Sequence, residues 1–190
     1  RNPNADELIN LINNLIEESQ KLDSFGIISP IEVNKDFPNY KLIENSKKIT
    51  DSEEPFKVKS IDGYSMLINL KRLNQIVNFY YFDENFFMYL ENDDLCKRLN
   101  KENENIYIIP KSKIKHLGGQ AVNDFYKTEI ELSRNWHWIW SKFYFNKKHY
   151  GYFFALLNGL PNFIFSFLKF FLYSILNNKK KNIYLNRLKG

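Results

Sequence analysis

The sequence predicts a mixed α/β domain that gives way to amphipathic and hydrophobic helices at its C-terminal end. Segments with a helical apolar period alternate with short apolar runs bounded by turn residues as far as His116, the pattern of helices and strands packed in layers. Beyond that point aromatic and aliphatic residues dominate, and acids vanish after Glu131. With 190 residues, 44% of them hydrophobic and 17% aromatic, the chain can bury one substantial core, which excludes a disordered tail. A single cysteine, Cys96, excludes an internal disulfide framework and suits a reducing compartment. The first residue is Arg1 and no signal-peptide pattern follows, so the left end reads as a cut within something longer.

The elements follow in order. "ADELINLINNLIEESQKL" places Leu8, Leu11, Ile12, Leu15 and Ile16 at helical spacing behind Glu7, which predicts a helix over 5–22. "FGIISPIEV" reads as a buried strand. Residues 34–55 are polar and irregular and read as a surface loop. "FKVKSIDGYSMLINL" alternates at Phe56, Val58 and Ser60, turns at Asp62-Gly63 and resumes as an apolar run from Met66 to Leu70. A short helix near 71–76 comes next. "NDDLCKRLNKEN" spaces Leu95 and Leu99 four apart, with acids early and bases late, as the helix dipole favours. "IYIIPKSKIKHLGG" then reads as two short strands about a turn at Pro110.

The stretch "FDENFFMYLENDDLCKRL", residues 82–99, gathers five carboxylates beside aromatic residues. A structural reading gives Asn92 to the helix cap, Asp93 and Asp94 to its positive end, and Phe82, Phe86 and Phe87 to the core. Capping, however, needs one or two acids, whereas Glu91, Asp93 and Asp94 stand together. A carboxylate held at a helix N-terminus stays ionised at neutral pH, as a general base for a hydroxyl must.

These residues resemble the acceptor-side signature of family 2 glycosyltransferases, in particular the bacterial rhamnosyltransferase-like group, F-D-E-x-F-F-x-Y-x-E-[DN]-x-D-L-C-x-R. The matching positions are Phe82, Asp83, Glu84, Phe86, Phe87, Tyr89, Glu91, Asp94, Leu95, Cys96 and Arg98. "IDGYSMLINLKRL" is similar to the family's glycine turn and the strand lining its site, with Gly63 on the glycine. "IKHLGGQAV" resembles the segment whose histidine contacts metal or diphosphate, here His116, and "RNPNADELINLI" resembles the N-P-D metal-binding stretch.

The resemblance implies the C-terminal part of a GT-A mixed-sheet domain, with residues 1–131 as its acceptor-side half and 132–190 as a basic, aromatic, membrane-proximal helical tail. The nucleotide-binding strands would precede Arg1. It implies inverting transfer of a sugar from a nucleotide-sugar donor to a hydroxyl of a cell-surface or lipid-linked glycan. Glu91 is then the first candidate base, ahead of Asp94 and Asp93, because the second acid of the family's Glu-Asp pair is Asn92 here and an amide accepts no proton. Asp62, Gly63, Tyr89, Asn92 and Arg98 fall on substrate-contacting positions. A divalent cation, Mg²⁺ or Mn²⁺, would be held partly by Asn4 and His116, with Asn4 offering a neutral carbonyl oxygen where the family has an acid.

Residues 132–190 carry ten bases and no acid, whereas 1–131 hold 17 bases against 22 acids. Trp136, Trp138, Trp140, Phe143, Tyr144 and Phe145 lie among bases, a composition suited to a membrane interface. Asn158, Gly159, Pro161 and Asn162 interrupt the following apolar run, so Pro161 is expected to start a new helix. Two helices lying at the bilayer surface, with Lys179, Lys180 and Lys181 near anionic headgroups, are the expected arrangement. Helices packed on the domain's own core, or one tilted transmembrane helix, are the alternatives. The location implied is the cytoplasmic face of the plasma membrane. Two other functions compete: a membrane-docking module without activity, and a nucleic-acid binder. The second is disfavoured because the bases flank apolar runs instead of lining a polar groove.

Overall fold

The computed structural model describes residues 5–44, 53–116 and 124–190. It is mixed α/β, and its contacts divide into two compact units: residues 1–82 with 92–117, and residues 83–91 with 118–190. The boundary expected after residue 131 falls inside a helix of the second unit.

The first unit is built on a four-stranded mixed sheet in the order β3-β6-β1-β5, where β1 is Ile27–Glu32, β3 Phe56–Lys57, β5 Leu67–Ile68 and β6 Ile106–Ile114. β1 and β6 run parallel at its centre, while β3 and β5 flank them antiparallel. Helix α1, Ala5–Gln20, packs Leu15 against Ile28 and Ile109 on one face. On the other, helix α3, Glu91–Lys101, presents Leu95, Cys96 and Leu99 to Ile27, Ile106 and Ile108. Burying each such side chain contributes about 1.5–3 kcal/mol. Cys96 belongs to this core, where burial pushes its thiol up to about 12. It is a packing residue, not a nucleophile. Helix α2, Leu70–Leu73, is a single turn capped by the Asn69 side chain, which accepts the Arg72 N–H.

Four local expectations are corrected. The alternation from Phe56 to Ile61 makes two strands, because Val58 donates to Ile106 and Lys59 to Lys41, so the chain changes partners within two residues. Ser60–Ile61 becomes β4 of a separate ribbon with β2, Tyr40–Lys41, within the segment expected to be irregular. Residues 106–114 form one strand, not two about a turn. Pro110 is accommodated at a bulge, since Ile109 faces Pro30 but Lys113 faces Ile31. The buried Asn39 repairs this defect: its amide donates to Pro30 O and Ser29 Oγ, and its oxygen accepts the Glu32 N–H. Finally, Asn92 lies inside α3 instead of capping it. Its amide donates to Ile61 O at 2.8 Å and ties the helix to β4.

The second unit contains α4, Lys127–Tyr150, α5, Tyr152–Ile175, and α6, Lys181–Lys189, which pack against one another. Pro161 lies within α5 and starts no new helix. It deprives the helix of one N–H, while the amides of Asn158 and Asn162 fold back onto carbonyls a turn earlier, so the polar interruption is absorbed locally.

Asp94 is fully buried and its carboxylate accepts from Arg98 at 2.8 Å; Arg98 also donates to the carbonyls of Tyr80 and Tyr81. Arg98→Ala strands that buried charge and is expected to lower the unfolding free energy by about 3–5 kcal/mol. Urea denaturation followed by circular dichroism measures the loss, and Asp94→Leu combined with Arg98→Met is expected to lose less than Arg98→Ala.

Candidate functional site

Because β1 and β6 are parallel, their carboxyl ends share one edge of the sheet, and polar side chains collect there. Glu32 ends β1 and is buried. It accepts the N–H of His116 at 2.8 Å, the N–H of Asn34 at 3.1 Å and the Tyr64 hydroxyl at 2.9 Å. Burial opposes its charge, but these donors prevail and hold its carboxyl below the usual range. The His116 ring stacks on Tyr64, with centroids 4.2 Å apart and planes 9° from parallel. Burial and the Glu32 acceptor raise the Tyr64 phenol, which therefore acts as a donor.

Asp62 follows β4 on the Gly63 turn, and its N–H is fixed by Asn39 O. The protein around its carboxyl, and then the charge of Asp93, push its pKa up; Lys41 and His116 oppose that rise. Asp93 accepts from Lys41 at 2.7 Å. The fold thus brings Asp62, Gly63, Asp93 and His116 into one neighbourhood. Asp94 and Arg98 are committed to each other and to the 80–81 backbone, and Asn92 to Ile61. Asn4 lies outside the described residues. Among the described residues no group of three or more His, Cys, Asp or Glu side chains is set to hold a metal ion.

In the second unit the loop 83–91 is fastened to one face of α4. Asp83 is buried and accepts from Lys148 at 2.7 Å, from the Tyr144 hydroxyl at 2.9 Å, and from the Asn85 N–H and amide at 3.0 and 2.8 Å. Ser141 donates to Met88 O, Trp140 to Asn85 O, and Tyr89 meets Trp138 edge to face. Phe86 is buried edge-on to Tyr144, but Phe82 and Phe87 are exposed, contrary to the expectation that all three enter the core. The α4 partners recur at helical spacing, so one stripe of the helix receives the loop.

The loop ends in strain. Tyr89 and Leu90 have φ of 71° and 65°, a left-handed conformation costing about 1–2 kcal/mol per residue for side chains with a Cβ. The next residue is Glu91, the first of α3, and its Oε2 is shielded from water with no hydrogen-bond partner among the described residues. A shielded, unpaired carboxylate oxygen directly after two strained residues is the arrangement expected of a group held ready for a ligand donor.

A cavity of about 360 Å³ lies among α4, α5 and α6. Its lining includes Lys142 and Arg187 but no carboxylate or histidine, so it holds no acid–base pair. Sequence reasoning passes over Glu32, Tyr64, Lys41 and Lys148. The only signal for Glu32 is an acid closing an otherwise apolar strand, and for Tyr64 its place beside the Asp62-Gly63 turn. Comparison with protein-family models, with curated proteins and with solved structures finds no match.

Burial works against ionised Asp83, but Lys148, Asn85 and Tyr144 outweigh it and hold its pKa well below the ordinary carboxylate value. A depressed folded-state pKa stabilises the fold above the unfolded value and loses that contribution as pH falls. Asp83→Asn is therefore expected to melt below the wild type at neutral pH. The gap is expected to begin closing as pH falls below about 4, the unfolded carboxylate range, and to close fully only as pH falls through the lower folded-state value. Thermal midpoints across the acid range measure this.

Proposed function

We propose that this chain is the acceptor-binding, base-supplying part of an inverting glycosyltransferase of the family 2, rhamnosyltransferase-like kind, with a GT-A fold. The observation that carries the reading is Glu91: this acid, at the first place of the signature's Glu-Asp pair, has a shielded oxygen without a partner among the described residues, and two left-handed residues precede it. The acceptor is a hydroxyl of a cell-surface glycan, free or lipid-linked, and the donor is a nucleotide sugar.

Glu91 accepts the hydroxyl proton as the acceptor oxygen attacks the anomeric carbon. The new glycosidic bond forms on the face opposite the departing diphosphate, the bond from the anomeric carbon to the diphosphate oxygen breaks, and the configuration inverts. Within the first unit, Asp62 and Asp93 lie near each other and offer acceptors for hydroxyls, the ordinary use of carboxylates with carbohydrates. Lys41, paired with Asp93, and His116, beside Asp62, keep that cluster from carrying two unopposed charges. The His116–Tyr64 stack is held by Glu32, which fixes the His116 backbone and the Tyr64 hydroxyl together.

Asp94 and Arg98 play a different part. Their ion pair and the Arg98 bonds to Tyr80 and Tyr81 support the helix that begins with Glu91, so they act by positioning. A module that only docked on membranes would have no use for the strain at Tyr89 and Leu90 or for an unpaired Glu91 oxygen.

In the full enzyme Glu91→Gln is expected to reduce transfer about 10²–10⁴-fold, the usual contribution of a general base, with donor binding unchanged. Single-turnover transfer and donor titration separate the two. Unimpaired transfer would assign the base to another acid, and Asp93→Asn tests the next candidate.

A further inference from the structure

A helix on the surface of a protein in water turns its apolar stripe inward and its polar face outward. Helix α5 instead leaves most of its large apolar side chains uncovered. The residues it buries are small, Ala155 and Ser166, with Gly159, Lys169, Phe170 and Tyr173 half-buried beside them. Gly159 receives Phe143 of α4, and Tyr173 stacks on Tyr184 of α6. The remaining circumference is apolar and uncovered, with Phe153 81%, Leu157 71%, Leu168 61% and Ile175 79% exposed. Its 24 residues form the one helix among the described residues that is long and apolar enough to cross a membrane.

We infer that α5 is immersed in the plane of an anionic lipid bilayer, its exposed apolar side chains among acyl chains and the face carrying Ala155, Gly159 and Ser166 against the rest of its unit. Charge selects the partner: residues 132–190 contain ten bases and no acid, and Lys179, Lys180 and Lys181 follow the helix directly. The packing selects the orientation. α6 begins at Lys181 and doubles back so that Tyr184 meets both Phe165 and Tyr173. A crossing helix would therefore draw α6, with Arg187 and Lys189, and the Lys142 side of α4 into hydrocarbon, where cations are costly. Lying in the plane, α5 leaves every one of these bases at headgroup level. The polar interruptions fit the same setting, since the Asn158 and Asn162 amides bond to carbonyls of their own helix. This inference does not depend on the transferase reading.

The full chain is expected to float with vesicles of equimolar phosphatidylcholine and phosphatidylglycerol, and less with phosphatidylcholine alone. Leu157→Gln with Leu168→Gln, both at exposed positions, is expected to lower the vesicle-bound fraction about tenfold or more while leaving the helical circular dichroism unchanged. Lys179→Cys adds a thiol to a chain whose own Cys96 is buried. In sealed vesicles a membrane-impermeant maleimide added outside is expected to label it fully. Undiminished flotation of the double variant would overturn the inference, and so would protection of the new thiol, which marks a spanning helix. A chain that stays unbound but sediments as a dimer, dissociated by the same two substitutions, would assign the face to a second copy instead.

Discussion

Asp83 is a buried carboxylate, and the path of the loop that follows it depends on keeping that charge satisfied. Lys148 and Tyr144 hold it from α4, Asn85 closes a turn over it, and Ser141 and Trp140 then take the carbonyls of Met88 and Asn85. The far end of the loop is equally constrained, because α3 is tied down by Asn92 on Ile61 and by the Asp94–Arg98 pair. Tyr89 and Leu90, at the end of the loop, adopt a conformation that side chains disfavour, directly before Glu91.

The same economy operates at the strand ends. A proline in a central strand, Pro30, and another in the bulge of its neighbour, Pro110, next to Pro30's partner Ile109, remove donors from the ladder where the register shifts. Asn39 restores the lost bonds from the side, and its carbonyl also fixes the N–H of Asp62. The bulge is therefore linked through one buried amide to the position of the Asp62 turn. Glu32, the strand's last residue, orders His116 and Tyr64 in turn. Defects in the sheet and residues of the candidate site are connected by short chains of hydrogen bonds, which explains why the acids there are not simply solvated.

The two halves of the chain obey different solvation rules. In the first unit a core of apolar side chains packs against the sheet, and charges buried there, such as Glu32 and Asp94, are hydrogen-bonded. In α5 the buried residues are the small Ala155 and Ser166, and most of its phenylalanines and leucines are exposed. This exposure accompanies the disappearance of acids after Glu131, and both follow if this part of the chain meets anionic lipid.

Periodicity determined the helix at 5–20, the buried strand at 27–32, the helix carrying Leu95 and Leu99, and the aromatic, basic character of the C-terminal region, because each depends on residues near one another in the chain. The clustering of acids brought Glu91, Asp93 and Asp94 into view as chemistry, and the resemblance to glycosyltransferases added His116. What none of these could supply was partnership between distant positions. Whether Asp83, Asp94 and Arg98 meet substrate or stabilise the fold depends on Lys148, Tyr144 and the 80–81 carbonyls, which only tertiary packing brings to them. The same holds for the split between Phe56 and Ile61, decided by a change of hydrogen-bond partner, and for the continuity of α5 through Pro161, where local amides offset one missing donor. A periodic pattern is written in adjacent residues; a buried charge is satisfied by whichever residue the fold delivers.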